Sequence, residues 1–267
     1  MSAEKSNIKN SNESPEASGE IGIESTTTKP EMRYGKKEAI MNWLSDFSLV
    51  DRTLVERAND LVDKSGIEKY INKDGLYLDI GAGKGHIPEL LEYKMAENGG
   101  KGRVFGIDLA DKPTKKVQER AREKRDMGST VKSKDKNAAG FMFGEAQYLP
   151  IADKSLDGVT FFFSSHYLDD SNMNKAFEEA KRVIKEGGHI LIVEDIPETK
   201  EERENNAEFD KKVNWLDEEI EYNYKSKEEW KQYLEEQGLE IVEESFFEEK
   251  TKQGVVKHAS YVLRLKE

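Results

Sequence analysis

The segment Leu76-Tyr77-Leu78-Asp79-Ile80-Gly81-Ala82-Gly83-Lys84-Gly85-His86 constrains this chain more than any other. An apolar strand ends in an acid, three glycines follow at alternate positions, and a helical run from Ile87 to Met95 begins. A strand that turns sharply into a helix presents backbone N–H groups at the helix N-terminus, where a carboxylate or phosphate can dock. Glycines are wanted there because any side chain would block a ligand lying against the backbone. The segment therefore predicts a βα unit that binds a cofactor.

Which cofactor is narrowed by the spacing. The dinucleotide fingerprint Gly-x-Gly-x-x-Gly needs glycine where this chain has His86. Asp79 would sit close to a pyrophosphate, a poor electrostatic match, whereas it suits a ligand carrying an ammonium or sulfonium group. Arg103-Val104-Phe105-Gly106-Ile107-Asp108 reads as a second strand ending in an acid. Asp108 lies 27 residues beyond Gly81, enough for a helix, a loop and a strand, and a carboxylate there can accept both hydroxyls of a ribose.

Further segments follow in order: Gly144-Glu145-Ala146, then Ser155 to Phe163, then Ala180 to Glu194 with a Lys185-Glu186-Gly187-Gly188 turn. In this order they resemble the class I S-adenosylmethionine-dependent methyltransferases of the type 11, small-molecule-like group, over roughly Gly75 to Asp195. The first motif of that family reads acid-x-Gly-x-Gly-x-Gly. Two positions depart from its usual pattern: Glu145 where aspartate is commoner, and Glu186 in place of a proline. The resemblance implies a Rossmann-like α/β fold, a seven-stranded mostly parallel sheet with helices on both faces and an antiparallel C-terminal hairpin strand. It implies S-adenosyl-L-methionine as cofactor, held by Asp79, Gly81, Ala82, Gly83, Gly85, Asp108, Leu109, Glu145, Ala146 and Phe163. In the family the acid of Gly-acid-Ala caps the adenine amino group.

Strands alternating with helices from Leu76 to about Val193 independently predict a parallel sheet covered on both faces. Around it, residues 1–33 are polar and read as a disordered tail. The remainder, 34–267, divides into a helical cover (34–74), a cofactor-binding core (75–195) and an acceptor-side insertion with closing strands (196–267). Helices are expected at Glu38–Phe47, Asp51–Lys64 and Ser226–Gln237. Strands are expected at Leu239–Phe247 and Val256–Leu265, joined by a charged turn from Glu248 to Gly254. Tyr34, Trp43 and Phe47 either line the cleft or serve as packing aromatics, and Phe209, Val213, Trp215, Leu216 and Ile220 recur with helical spacing.

Composition bounds the partners. The chain has 267 residues and a net charge of −12, which argues against a broad nucleic-acid footprint. The exception is a basic stretch, Lys115 to Lys136, readable as a solvated face or as an anionic-substrate or RNA contact. No cysteine is present, which excludes disulfides, thiolate metal sites and a cysteine nucleophile. No run is apolar enough to span a bilayer, and a cytoplasmic protein is expected.

A methyl sulfonium is already electrophilic, so a base is needed only if the acceptor must lose a proton. Ser164, Ser165, His166 and Tyr167 are expected to face the acceptor, with His166 as the catalytic candidate, a general base or else a packing residue. Glu194 and Asp195 are secondary candidates, as acceptor-site acids, metal ligands or loop caps. The chain lacks an Asp/Asn-Pro-Pro-Tyr sequence after its fourth strand, which favours a small-molecule acceptor over a base in nucleic acid. Alternatives are an RNA or protein methyltransferase using the basic stretch, a non-catalytic cofactor-binding module, and a nicotinamide dehydrogenase.

Overall fold

Apolar residues set the order of the sheet. The computed structural model describes residues 52–83, 85–109, 140–214, 221–251 and 254–266. The expected tail 1–33, Tyr34, the helix Glu38–Phe47 with Trp43, the basic stretch Lys115–Lys136, and Trp215, Leu216 and Ile220 lie outside the described residues, as do the side chains of Leu54, Val55 and Val213. Helix α1 (Arg52–Ser65) leads through a single 3-10 turn (Ile67–Tyr70) into β1 (Leu76–Ile80), α2 (His86–Glu97) and β2 (Arg103–Asp108). Then come β3 (Phe141–Phe143), β4 (Leu156–Phe162), α3 (Asp170–Val183), β5 (Ile184–Asp195), α4 (Lys200–Asn214), α5 (Lys227–Glu236), β6 (Leu239–Thr251) and β7 (Gly254–Leu265).

The seven strands form one sheet in the order β3-β2-β1-β4-β5-β7-β6. Strands β1 to β5 are parallel, and β7 runs antiparallel between β5 and β6. This is the class I topology that the motifs imply. Parallel strands covered on both faces are apolar throughout rather than alternating, and four of the five residues of β1 are buried. Side chains still alternate between two cores. Leu78 and Ile80 join Phe161, Met173, Phe177 and Trp230 under α3 and α5, while Tyr77 joins Leu61, Leu90, Leu91 and Phe162 under α1 and α2. Each fully buried side chain of this size contributes roughly 1.5–3 kcal/mol.

Helix ends follow local chemistry. Asp169 accepts from the Asn172 N–H to start α3. Ser226 and Glu229 form a reciprocal capping box at α5. Two boundaries differ from the sequence expectation. The Lys185–Gly188 turn lies within β5 as an irregularity: β4 advances from Leu156 to Gly158 while β5 advances from Ile184 to His189, with Gly187 at φ 75°. The turn expected from Glu248 to Gly254 is mostly strand, because Glu248 pairs with Lys257 and Lys250 with Val255 across the ladder. Opposite charges facing across such a ladder favour pairing.

The strand order reverses at β1, which lies between β2 and β4. In open α/β sheets this switch point opens a crevice at the carboxyl ends of the strands.

Candidate active site

The glycine loop closes that crevice from one side. The N–H groups of Gly81 and Ala82 both donate to the Ile107 carbonyl, at 2.9 and 3.1 Å. The Gly83 N–H donates to Asp108 Oδ2 at 2.5 Å, and the Leu109 N–H to Asp108 Oδ1 at 2.6 Å. Gly81, Gly83 and Gly85 all have positive φ, at 74°, 52° and 79°. Gly81 has a second reason to lack a side chain: an added Cβ would overlap the Ser164 Cβ, far inside the 3.0 Å limit of real contacts. Among the described residues the atom nearest to a Cβ added at Gly83 is Asp108 Oδ2, at 4.0 Å. The loop is therefore packed tightly on its Ser164 side.

Asp79 lies beneath this loop, 1 % exposed, with the Thr160 hydroxyl donating to it. Burial raises its pKa to about 8; the Thr160 bond opposes the rise and the Asp108 charge adds to it. Among the described residues no cation pairs with Asp79. A buried carboxyl with no counter-charge among the described residues, two residues before a glycine loop, fits a ligand that brings its own positive charge. That chemistry, together with the side-chain-free backbone at Gly83 and with Asp108, fits S-adenosylmethionine.

The other cofactor candidates are spread along the neighbouring strand ends. Across the ladder Asp108 pairs with Phe143, and the Gly144 N–H donates to the Asp108 carbonyl, so Glu145 and Ala146 follow directly beside Asp108. Glu145 is exposed, and Leu109 is 58 % exposed. Phe163 follows the end of β4 in the left-handed region at φ 51°, a conformation costing about 1–2 kcal/mol for a non-glycine residue. Its ring meets His258 edge-on at 5.2 Å, and the Arg57 guanidinium lies 5.8 Å from it.

Past Phe163 the chain makes a tight turn whose polar groups converge on Glu194. Glu194 Oε1 accepts from the Ser164 N–H (2.9 Å), the Ser165 N–H (2.6 Å) and the Ser165 hydroxyl (2.5 Å). Its Oε2 lies 2.7 Å from His166 Nδ1. Ser164 in turn donates its hydroxyl to the Ile80 carbonyl at 2.6 Å. His166 is 2 % exposed, and its Nε2 lies 3.3 Å from Asp210 Oδ2 on α4. Burial by itself would lower the His166 pKa; the Glu194 and Asp210 carboxylates outweigh it and raise it to about 10. A pKa raised in this way favours the protonated imidazole, which is a poorer match to the general-base role expected of His166 than to that of a buried cation.

Sequence reasoning missed the residues that make His166 so. Asp210 accepts from the Tyr224 hydroxyl, and the Tyr224 ring stacks on His166 at 4.9 Å. Tyr167 and Tyr222 complete the aromatic wall, 4.4 and 6.0 Å from the imidazole. The only signal was the Tyr222-Asn223-Tyr224 triplet within a charged stretch. A second buried histidine was also missed. His258 Nδ1 lies 2.7 Å from Asp195 Oδ1, and Nε2 lies 3.5 Å from Glu249, which Arg57 holds at 2.8 Å. Burial would lower the His258 pKa, and the two carboxylates raise it instead. Among the described residues, no acidic or histidine cluster has the arrangement of a metal site.

Comparison with known proteins agrees with this arrangement. The family described as Methyltransferase domain matches residues 78–192. The uncharacterized methyltransferase YcgJ of Bacillus subtilis is 32% identical over 117 residues, 44% of this chain and 39% of that protein. The demethylmenaquinone methyltransferase of Thermotoga maritima is 24% identical over 165 residues, 62% of this chain and 59% of that protein. The chain thus spans about two fifths to three fifths of the length of these curated relatives. A crystal structure of a SAM-dependent methyltransferase from Methanosarcina mazei superposes with a TM-score of 0.56 at 21% identity, covering 75% of this chain and 97% of that one. Residues 78–192 thus match the methyltransferase domain family, and the seven-stranded sheet has the fold of the class I S-adenosylmethionine-dependent methyltransferases.

Proposed function

We propose that this chain transfers a methyl group from S-adenosylmethionine to a small-molecule acceptor. The observation that carries the reading is the glycine loop tied to Asp108 above Asp79, which is buried with no paired cation among the described residues. When bound, the cofactor supplies an electrophilic methyl group for in-line displacement, so the protein's main task is alignment. In this reading Asp79 compensates the ligand's positive charge, Gly81, Ala82, Gly83 and Gly85 admit it against the backbone, and Asp108 with Leu109 receives the ribose. Glu145 and Ala146 flank the adenine, and Phe163 walls the crevice toward the acceptor. His166, held between Glu194 and Asp210 and backed by Tyr224, puts a buried positive charge on the acceptor side.

Three observations favour a small acceptor. The Thermotoga relative is named for demethylmenaquinone. The net charge of −12 opposes nucleic acid, and the absence of cysteine excludes a thiolate nucleophile. The organisation proposed with it is a tail at 1–33 and a methyltransferase domain at 34–267, working in the cytoplasm. Among the described residues no helix is long and apolar enough to cross a membrane.

Isothermal titration with S-adenosylhomocysteine (SAH) and S-adenosylmethionine tests the reading, followed by methyl transfer from labelled cofactor to a panel of phenols, hydroquinones and amines. Micromolar binding is expected. Folded protein that binds neither cofactor form would refute the proposal, and labelling of RNA but of no small molecule would move it to the basic stretch at Lys115–Lys136.

A further inference from the structure

Glu194 is the most completely engaged side chain of the site, and the cofactor motifs do not include it. Its carboxylate is 1 % exposed and takes four hydrogen bonds from three successive residues, Ser164, Ser165 and His166. Buried carboxylates saturated by short, charge-assisted bonds are rigid fixtures, because releasing any one donor leaves it unsatisfied in a low-dielectric interior. The turn so fixed does not stop at the acceptor side. Ser164 binds the Ile80 carbonyl through its hydroxyl, and its Cβ occupies the volume that a side chain at Gly81 would need. One carboxylate at the end of β5 is thus linked, through Ser164, to the first glycine of the loop, and through Nδ1 to His166.

We propose that Glu194 is a positioning residue that sets the cofactor loop and the acceptor-side histidine in register by holding the Ser164–His166 turn against Gly81. The proposal rests on the methyltransferase reading for its functional meaning, but its geometry is independent of it. The groups facing His166 are Glu194 from β5, Asp210 from α4, and the phenols of Tyr167, Tyr222 and Tyr224. Asp195 contributes a further carboxylate nearby. Only Glu194 among these also binds the two serines.

The test uses the full chain with Glu194→Gln and Glu194→Asp, read by SAH titration calorimetry and by NMR titration of His166. Glutamine keeps one acceptor oxygen but removes the charge and opposes Nδ1–H with an amide. In this variant the His166 midpoint is expected to fall from the alkaline range toward neutrality, and SAH affinity to drop at least fivefold. Aspartate keeps the charge with a shorter reach. It is expected to leave His166 protonated above neutrality while still weakening SAH at least threefold. A merely structural carboxylate would not separate the two readouts in this way. A folded Glu194→Gln protein with an unchanged His166 midpoint and unchanged SAH affinity overturns the proposal. If the glutamine variant does not fold, an aspartate variant with wild-type SAH affinity overturns it equally. Failure of the wild type to bind SAH would instead refute the methyltransferase reading, and the His166 titration would still decide the role of Glu194 in holding the turn.

Discussion

Replacing Gly81 by alanine separates two costs that the glycine loop combines. Gly81 and Gly99 share the same backbone angle, φ 74°, but an added Cβ meets none of the described residues within 4 Å at Gly99 and overlaps Ser164 at Gly81. Gly99→Ala therefore reports the left-handed strain alone, about 1 kcal/mol. Gly81→Ala adds the displacement of Ser164. That displacement weakens the Ser164 hydroxyl bond to Ile80 and strains the Ser164 and Ser165 bonds to Glu194, each worth about 1 kcal/mol. The expected total for Gly81→Ala is about 3 kcal/mol, which at ~2–4 °C per kcal/mol lowers Tm by roughly 6–12 °C, against roughly 2–4 °C for Gly99→Ala. SAH affinity should fall at least tenfold for Gly81→Ala and stay within twofold for Gly99→Ala. Removing the obstructing atoms with Ser164→Gly tests the cause. The double variant should be no less stable than Gly81→Ala alone, so the two changes couple by about 1–2 kcal/mol. Differential scanning calorimetry and SAH titration on the wild type and these four variants suffice. Equal Tm losses for the two glycine variants, or strict additivity with Ser164→Gly, would refute the packing argument.

Three further outcomes are expected. Asp108→Ala strips the acceptor from the Gly83 and Leu109 N–H groups and should weaken SAH at least tenfold by calorimetry, about 1.4 kcal/mol or more. Ser226→Ala breaks the capping box of α5 and should lower stability by about 1 kcal/mol in urea melts while leaving SAH affinity unchanged. Asp79 has a folded-state pKa of about 8 against an ordinary 3.8, so the folded chain binds the extra proton between those values and loses stability as pH rises through that window. Without ligand, Asp79→Asn should therefore match the wild type near pH 4 and exceed its Tm at pH 8; an unchanged Tm difference between these pH values would count against the buried charge.

The parts of the fold legible in the sequence are those specified by neighbours along the chain. Leu76 to His86 carries its own strand, turn and helix start, and Asp108 and Gly144 close short strands of the same kind. Ser226 marked the start of its helix, where the four residues Ser226 to Glu229 form a capping box. The charge state of His166 was not legible, because it depends on Glu194, 28 residues later, and on Asp210 beyond β5. Nothing local distinguishes Asp210 from the other acids of a strongly charged stretch; α4 and the return of Tyr224 to the site select it. The hairpin was underestimated for a similar reason. Glu248 and Lys250 read as a charged turn until their partners Lys257 and Val255 are known.

The end of β5 explains why two histidines, 92 residues apart, are buried on either side of this sheet. Glu194 and Asp195 are consecutive strand residues, and a strand points consecutive side chains to opposite faces. Glu194 takes His166 on the face where α4 brings Asp210, and Asp195 takes His258 on the face where Arg57 of α1 holds Glu249. Each histidine is thereby placed between a β5 acid and an acid from an element added outside the parallel core. Arg57 also lies over Phe163, the residue that enters the Ser164 turn. The helix before β1, the C-terminal hairpin and the segment after β5 are thus all tied by charge to one strand end at the mouth of the crevice.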